Sequence, residues 1–283
     1  MGMSNPKALI VYSSPAGTTR HVARVMENAL KDRGYKCGVT DLGNKDDCLN
    51  LNSKVKDLTT DHCIWVGTPV YTGHAVPQVT RFISELPEST GSCAVPFVTW
   101  GGVSSGLALY EMGRGLSEKG YTVLGAAKVL AVHSLMWQCK SPLGKGHPDA
   151  EEDSMIKELV GKIDAKVLSD VIKPLSIETL NYQPKKVQES MQNMSIEVAK
   201  QMLPGKELDA EACNQCGECE EICPAQAIRC TPYPQFGDEC FLCYNCVRLC
   251  KVEAIKSDLS KMEGMLRGMA DDYAEQPLSQ VFV

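Results

Sequence analysis

Lys7-Ala8-Leu9-Ile10-Val11-Tyr12, followed at once by Ser13-Ser14-Pro15-Ala16-Gly17-Thr18-Thr19, decides the fold of the larger part of this chain. The unbroken apolar run from Ala8 to Tyr12 suits a strand covered on both faces rather than one facing water. Beyond the loop, Val22, Val25, Ala29 and Leu30 recur at helical spacing and end near Gly34. Further apolar runs predict strands at 37–41, 63–68, 95–100 and 123–130, with helices over about 76–86 and 106–119. A last helix is expected from near Asp149 to about Val171. Strand alternating with helix in this way predicts an α/β unit over residues 1–173, a doubly wound five-stranded parallel sheet with helices on both faces.

The loops at the carboxyl ends of these strands carry the chemistry. Backbone N–H groups of residues 13–19, Ser13, Ala16 and Gly17 among them, with the hydroxyls of Ser14, Thr18 and Thr19, form a pocket for one phosphate at a helix amino terminus. It has neither the Lys of a P-loop nor a G-x-G-x-x-G fingerprint, so one terminal phosphate, as in FMN, suits it better than a dinucleotide. The third strand ends in Gly67-Thr68-Pro69-Val70-Tyr71-Thr72-Gly73 and the fourth in Thr99-Trp100-Gly101-Gly102. In a doubly wound sheet these ends converge at the switch point where FMN binds. Tyr71 and Trp100 offer flat surfaces there, while Gly73, Gly101 and Gly102 let backbone approach a ring. The alternatives are core filling for Trp100 and an ordinary surface turn for Tyr71. His133 and Trp137 sit in a long loop after the fifth strand. They are candidates for a proton donor and a flavin lid, or else a hydrogen-bonded loop histidine and a packed indole.

A second unit follows at residues 206–257. Cys213, Cys216, Cys219 and Cys223 precede Pro224, and Cys240, Cys243, Cys246 and Cys250 repeat the same C-x₂-C-x₂-C-x₃-C steps 27 residues later. Two such runs point to [4Fe–4S] clusters rather than zinc, which commonly uses paired knuckles with spacers. Ala227-Ile228 and Ala254-Ile255 repeat after the two runs and mark a duplication. Lys251 stands where the first run has Pro224, and its charge is expected to raise the potential of one cluster over its twin. Cys37, Cys48, Cys63, Cys93, Cys139 and Cys230 lack ligand spacing and are expected to be structural thiols.

Between the units, residues 174–205 are a helical connector punctuated by Pro174, Pro184 and Pro204. Val187, Met191, Met194, Val198 and Met202 recur there at helical spacing, either packing on a neighbouring unit or forming a partner-binding groove. Leu259, Met262, Met265 and Met269 make a similar stripe in residues 258–283, expected to clip the small unit onto the large one. The net charge of −6 is uneven: residues 206–283 hold 7 Lys/Arg against 14 Asp/Glu. That balance disfavours nucleic acid and suits either basic docking patches on redox partners or plain solubility. No stretch approaches the ~18–20 apolar residues of a membrane span. Nothing before Lys7 reads as an export signal, so clustered thiols point to metal and the expected location is cytoplasmic.

Residues 206–257 resemble the bacterial two-[4Fe–4S] ferredoxins, in which the fourth thiolate of each run reaches the other cluster. That resemblance implies Cys213, Cys216, Cys219 and Cys250 on one cluster and Cys240, Cys243, Cys246 and Cys223 on the other. Residues 5–170 resemble flavodoxins, with a departure at Pro15-Ala16, where Thr-Thr is common, which removes a hydroxyl. The whole chain resembles the flavodoxin–ferredoxin fusion proteins of anaerobes, through Gly67-Thr68-Pro69-Val70-Tyr71 and through His133-Ser134 followed by Gly146-His147-Pro148-Asp149. The resemblance implies a flavodoxin-like fold, FMN and two [4Fe–4S] clusters. Two function classes follow: a carrier serving redox protein partners (a ferredoxin or reductase), or a flavin reductase acting on a small-molecule substrate.

Overall fold

Strand β1 (Lys7–Tyr12) sends Leu9 and Val11 into one core layer and Ala8, Ile10 and Tyr12 into the other, as the period of two requires. The computed structural model describes residues 6–56, 62–169 and 171–283. Helix α1 (Thr18–Lys31) leads to β2 (Lys36–Asp41), which lies parallel to β1. Next come β3 (His62–Tyr71), α2 (Pro77–Glu85), β4 (Cys93–Trp100), α3 (Ala108–Glu118), β5 (Ala126–Leu130) and α4 (Ala150–Val167). The parallel strands run in the order β5-β4-β3-β1-β2, the flavodoxin-like doubly wound arrangement. Val79, Phe82 and Ile83 of α2 and Leu109, Met112 and Leu116 of α3 fill one layer; Met26 of α1 and Ile156, Leu159 and Ile163 of α4 fill the other with Trp65. Asp149 starts α4 with a capping box, its own N–H donating to Glu152 at 2.8 Å.

Three elements differ from expectation. Strand β3 runs on to Tyr71 and turns back through Thr72 (φ 54°) and Gly73 (φ 86°) to pair with His74–Ala75. The expected strand over 123–130 is broken at Gly125, where a Cβ would lie 2.8 Å from the Phe282 carbonyl. The connector is two helices, α5 (Lys185–Gln192) and α6 (Ile196–Met202), because the Ser195 hydroxyl accepts the Val198 N–H at 3.2 Å and starts a new cap.

The tail completes the larger unit. In α7 (Met262–Tyr273), Met262 and Leu266 pack on Met136, and β6 (Gln280–Phe282) then adds an antiparallel strand beside β5. Lys128 of β5, fully buried, meets Glu275 at 2.7 Å. Burial alone would raise the Glu275 carboxyl, yet Lys128, Ser105 and Gln183 together hold it below the usual range. In the small unit, Ile228–Cys230 pairs with Pro234–Phe236 and Glu207–Leu208 with Ile255–Lys256. Ile228 and Ile255 are buried among the cysteines.

Candidate functional site

At the switch point lies a cavity of about 220 Å³. Ala16 and Thr18 from the first loop line it, with Pro69, Val70, Tyr71, Thr72 and Gly73 from the second, Trp100 and Gly101 from the third, and His133. Its roof was not foreseen. Met191, Met194 and Met202 come from the connector, Met262, Met265 and Met269 from the tail, and Phe241 and Leu242 from the second cysteine run. No Lys, Arg, Asp or Glu lines it among the described residues. His74 holds the roof down through Nε2, 2.9 Å from the Met191 carbonyl and 3.0 Å from that of Met194.

Five expected flavin residues, Ser13, Ser14, Gly17, Thr19 and Gly102, stand outside the cavity wall. Ser14 Oγ accepts the Arg20 N–H at 2.8 Å and so caps α1. The hydroxyl of Thr19 is buried and shares a 2.8 Å hydrogen bond with that of Thr99. Gly17 has φ +91°, and a Cβ there would meet nothing within 4 Å, so the loop's mouth is open beside the first turn of α1. The N–H groups of Thr18 and Thr19 have no intrahelical acceptor by position. Ser13 Oγ is fully buried with no hydrogen-bond partner among the described residues. An open glycine turn, free helix-start donors and an orphaned hydroxyl fit a bound phosphate.

Trp100 touches the cavity but is 2% exposed, and its indole N–H donates to the Leu278 carbonyl at 2.8 Å. Its indole therefore ties the sheet to the tail. Trp137 does not line the cavity, and Leu135 and the methionines stand where a lid was expected. Nδ1 of His133 accepts the Leu135 N–H at 3.3 Å, which places the ring proton on Nε2. Burial pushes this histidine down to about 4, so at neutral pH it is an uncharged hydrogen-bond donor rather than a proton reservoir.

The cysteines gather into two cradles. One cavity, about 60 Å³, is lined by Cys213, Cys216, Cys219 and Cys250; another, about 20 Å³, by Cys240, Cys243 and Cys223; Cys246 stands between them and lines both. Each run thus contributes its last thiol to the other cradle's wall. The N–H of Ala227 points to Cys223 Sγ and that of Ala254 to Cys250 Sγ, both at 3.3 Å, so the duplication extends to the donors. Burial pushes Cys243 up to about 12 and Cys246 to about 11, so these thiols stay protonated unless a metal takes the proton's place.

Two sequence expectations change here. Lys251 is 78% exposed at its side chain and paired with Glu218 at 2.6 Å, so its charge is largely compensated. A second lysine, Lys206, comes closer to a cysteine: its Nζ donates to Cys240 Sγ at 3.3 Å and lies 5.1 Å above the Tyr244 ring. Cys230 is no remote structural thiol: it lines the larger cradle with Sγ 3.7 Å from that of Cys219. Ligand spacing could not reveal it, because a hairpin strand rather than the cysteine loop brings it there.

Among solved structures, the rubredoxin oxygen:oxidoreductase of the anaerobe Desulfovibrio gigas is similar at 19% identity and TM-score 0.45, over 58% of this chain and 37% of that one. A flavodoxin from the domain Archaea is similar at 21% identity and TM-score 0.44, over 58% of this chain and 99% of that one. This chain thus spans little more than a third of the first of these proteins, 37%. No curated protein matches it. Residues 9–119 match the family model of the flavodoxin domain, and residues 207–228 that of a 4Fe–4S binding domain. The former implies FMN and the latter an iron–sulfur cluster, so the chain is a redox fusion of a flavodoxin domain with a 4Fe–4S domain.

Proposed function

We propose that this protein carries electrons between two low-potential [4Fe–4S] clusters and FMN, to or from a protein redox partner such as a ferredoxin or reductase. Iron–sulfur clusters exchange single electrons, and a flavin takes one or two. The observation that carries this reading is a shared wall. Phe241 lines both the smaller cradle and the flavin cavity, and its ring centroid lies 5.7 Å from that of Tyr71. The cradle of Cys240, Cys243, Cys246 and Cys223 is therefore the inner one, and the cradle of Cys213, Cys216, Cys219 and Cys250 the outer. Lys206 beside Cys240 favours an extra electron on the inner cluster, which makes the step from outer to inner cluster downhill.

The alternative is a flavin reductase acting on a small molecule, and it needs space beside the ring. A cavity of about 220 Å³ is below the ~300–1,000 Å³ of ordinary ligand pockets, so an isoalloxazine would leave little room for a second molecule. That favours the carrier. Within the site, His133 would donate a hydrogen bond from Nε2, and the methionine roof would exclude water.

The reading predicts about one FMN and about eight iron and eight sulfide atoms per anaerobically purified chain. On rapid mixing, a reduced low-potential ferredoxin should bleach the flavin, whereas NADH or NADPH alone should not. Rapid bleaching by a pyridine nucleotide, or zinc in place of iron, would overturn it.

A further inference from the structure

The phosphate loop is not held by its own domain alone. The Pro15 carbonyl accepts two hydrogen bonds from the cluster-bearing unit, from Asn245 Nδ2 at 2.8 Å and from Arg248 Nη2 at 3.1 Å. The same Arg248 Nη2 donates to Asn245 Oδ1 at 2.7 Å, so the two side chains form one clasp. Asn245 is 6% exposed, and Pro15 is buried as well. Arg248 Nε is also buried and has no partner among the described residues. Pro15 is where the loop departs from the common flavodoxin pattern. Proline fixes φ near −65° and carries no N–H, so this position offers its surroundings only a carbonyl. Here that carbonyl points at the clasp.

The charges around the loop leave a gap that Arg248 fills. Arg20, at the start of α1, faces Asp41 at 3.6 Å. No Lys or Arg lines the flavin cavity among the described residues. A phosphate there would meet backbone donors and hydroxyls but, among the described residues, no cation in the cavity wall; Arg248 is a cation bonded to the loop's own backbone.

We propose that Arg248, together with Asn245, is a positioning residue of the flavin phosphate site, supplied to the flavodoxin unit by the cluster-bearing unit. The clasp pulls the Pro15 carbonyl outward, which turns the following N–H groups toward the phosphate. The guanidinium adds the fixed positive charge that the loop lacks. Because Arg248 lies between Cys246 and Cys250, ligand thiols of the inner and outer cradles, phosphate binding and seating of the cluster unit become linked. Whatever one gains from the clasp, the other gains equally. This inference rests on the reading of residues 13–19 as an FMN phosphate loop.

Comparing FMN with riboflavin tests it, because the two share the ring and differ in the phosphate. Dissociation constants are measured anaerobically on the full chain with its clusters, by flavin fluorescence. Arg248→Gln should weaken FMN roughly tenfold, the scale of a lost charge-assisted hydrogen bond, while leaving riboflavin within about twofold. Arg248→Lys should recover part of the FMN affinity by restoring the charge. Equal weakening of both flavins, or unchanged FMN binding, would overturn the proposal. Should Arg248→Gln lose its clusters, wild-type protein still decides. Hydrogen exchange of residues 244–250 should slow more on adding FMN than on adding riboflavin, and equal protection would contradict the clasp. A wild-type chain that binds neither flavin would instead sink the FMN reading itself.

Discussion

The two cysteine cradles have the same spacing and the same backbone-to-sulfur donors, but opposite surroundings. The outer one opens to solvent: Cys216 is exposed, and Leu249 and Val252 beside it are 45% and 40% exposed. Its nearby lysine, Lys251, is paired with Glu218. The inner one faces the flavodoxin unit, with Phe241 against Tyr71 and Gln78 of α2 donating to the Pro224 carbonyl. Its lysine, Lys206, donates to Cys240 Sγ. Neighbours outside the repeat thus make the two cradles unequal. Under the proposed function, the outer one would meet a partner and the inner one the flavin.

Exchanging the fourth ligands is the harshest way to break this comparison. Cys223→Ser, though it lies in the first run, should cost the inner cluster. Cys250→Ser, in the second run, should cost the outer. Iron should fall to about four atoms per chain in each variant, and EPR of the reduced proteins should retain different single-cluster signals. Loss of the same cluster from both would refute the crossed assignment.

A milder probe exchanges the lysines. Lys206→Gln should lower the midpoint potential of the inner cluster, because a charged donor to a ligand sulfur stabilises the reduced form. Lys251→Gln should change the outer potential much less, since Glu218 already compensates that charge and water screens it. Potentiometric EPR titrations report both, and a larger shift from Lys251→Gln would reverse the proposed order. The smallest effect is expected from Cys230→Ala. It removes a neutral thiol 3.7 Å from Cys219 Sγ and should lower the outer potential by less than Lys206→Gln lowers the inner. An inner-cluster shift of equal size would show that Cys230 is not confined to the outer cradle.

Much of this was legible in the sequence, for identifiable reasons. The apolar run of β1 and the loop after it follow from short-range periodicity, as does the cap at Asp149. The steps of the cysteine runs are local too. What escaped depends on contacts far apart in sequence. The methionine stripes announced buried helix faces, but not that residues 191 and 265 would meet over one cavity. Strand β6 was missed because three residues after the turn at Pro277 carry too little pattern, and its pairing with β5 lies about 150 positions away. No local pattern tells that the fold places Thr99 beside Thr19. Pro15 and Arg248 are 233 residues apart, and nothing local couples them.

The tail also constrains how the central claim can be examined. Cutting the chain after the connector would remove β6 and Glu275, leaving Lys128 buried without its carboxylate, a defect on the scale of ~3–5 kcal/mol. A single substitution avoids that damage. The most direct measurement is therefore anaerobic stopped-flow of the full chain against its Cys243→Ser variant, each loaded with FMN and mixed with a reduced low-potential ferredoxin. Without the inner cluster, the variant should keep its flavin and its outer cluster, yet lose most of the rate at which the flavin bleaches. Bleaching as fast as in the unsubstituted chain would show that electrons reach the flavin without crossing the inner cradle.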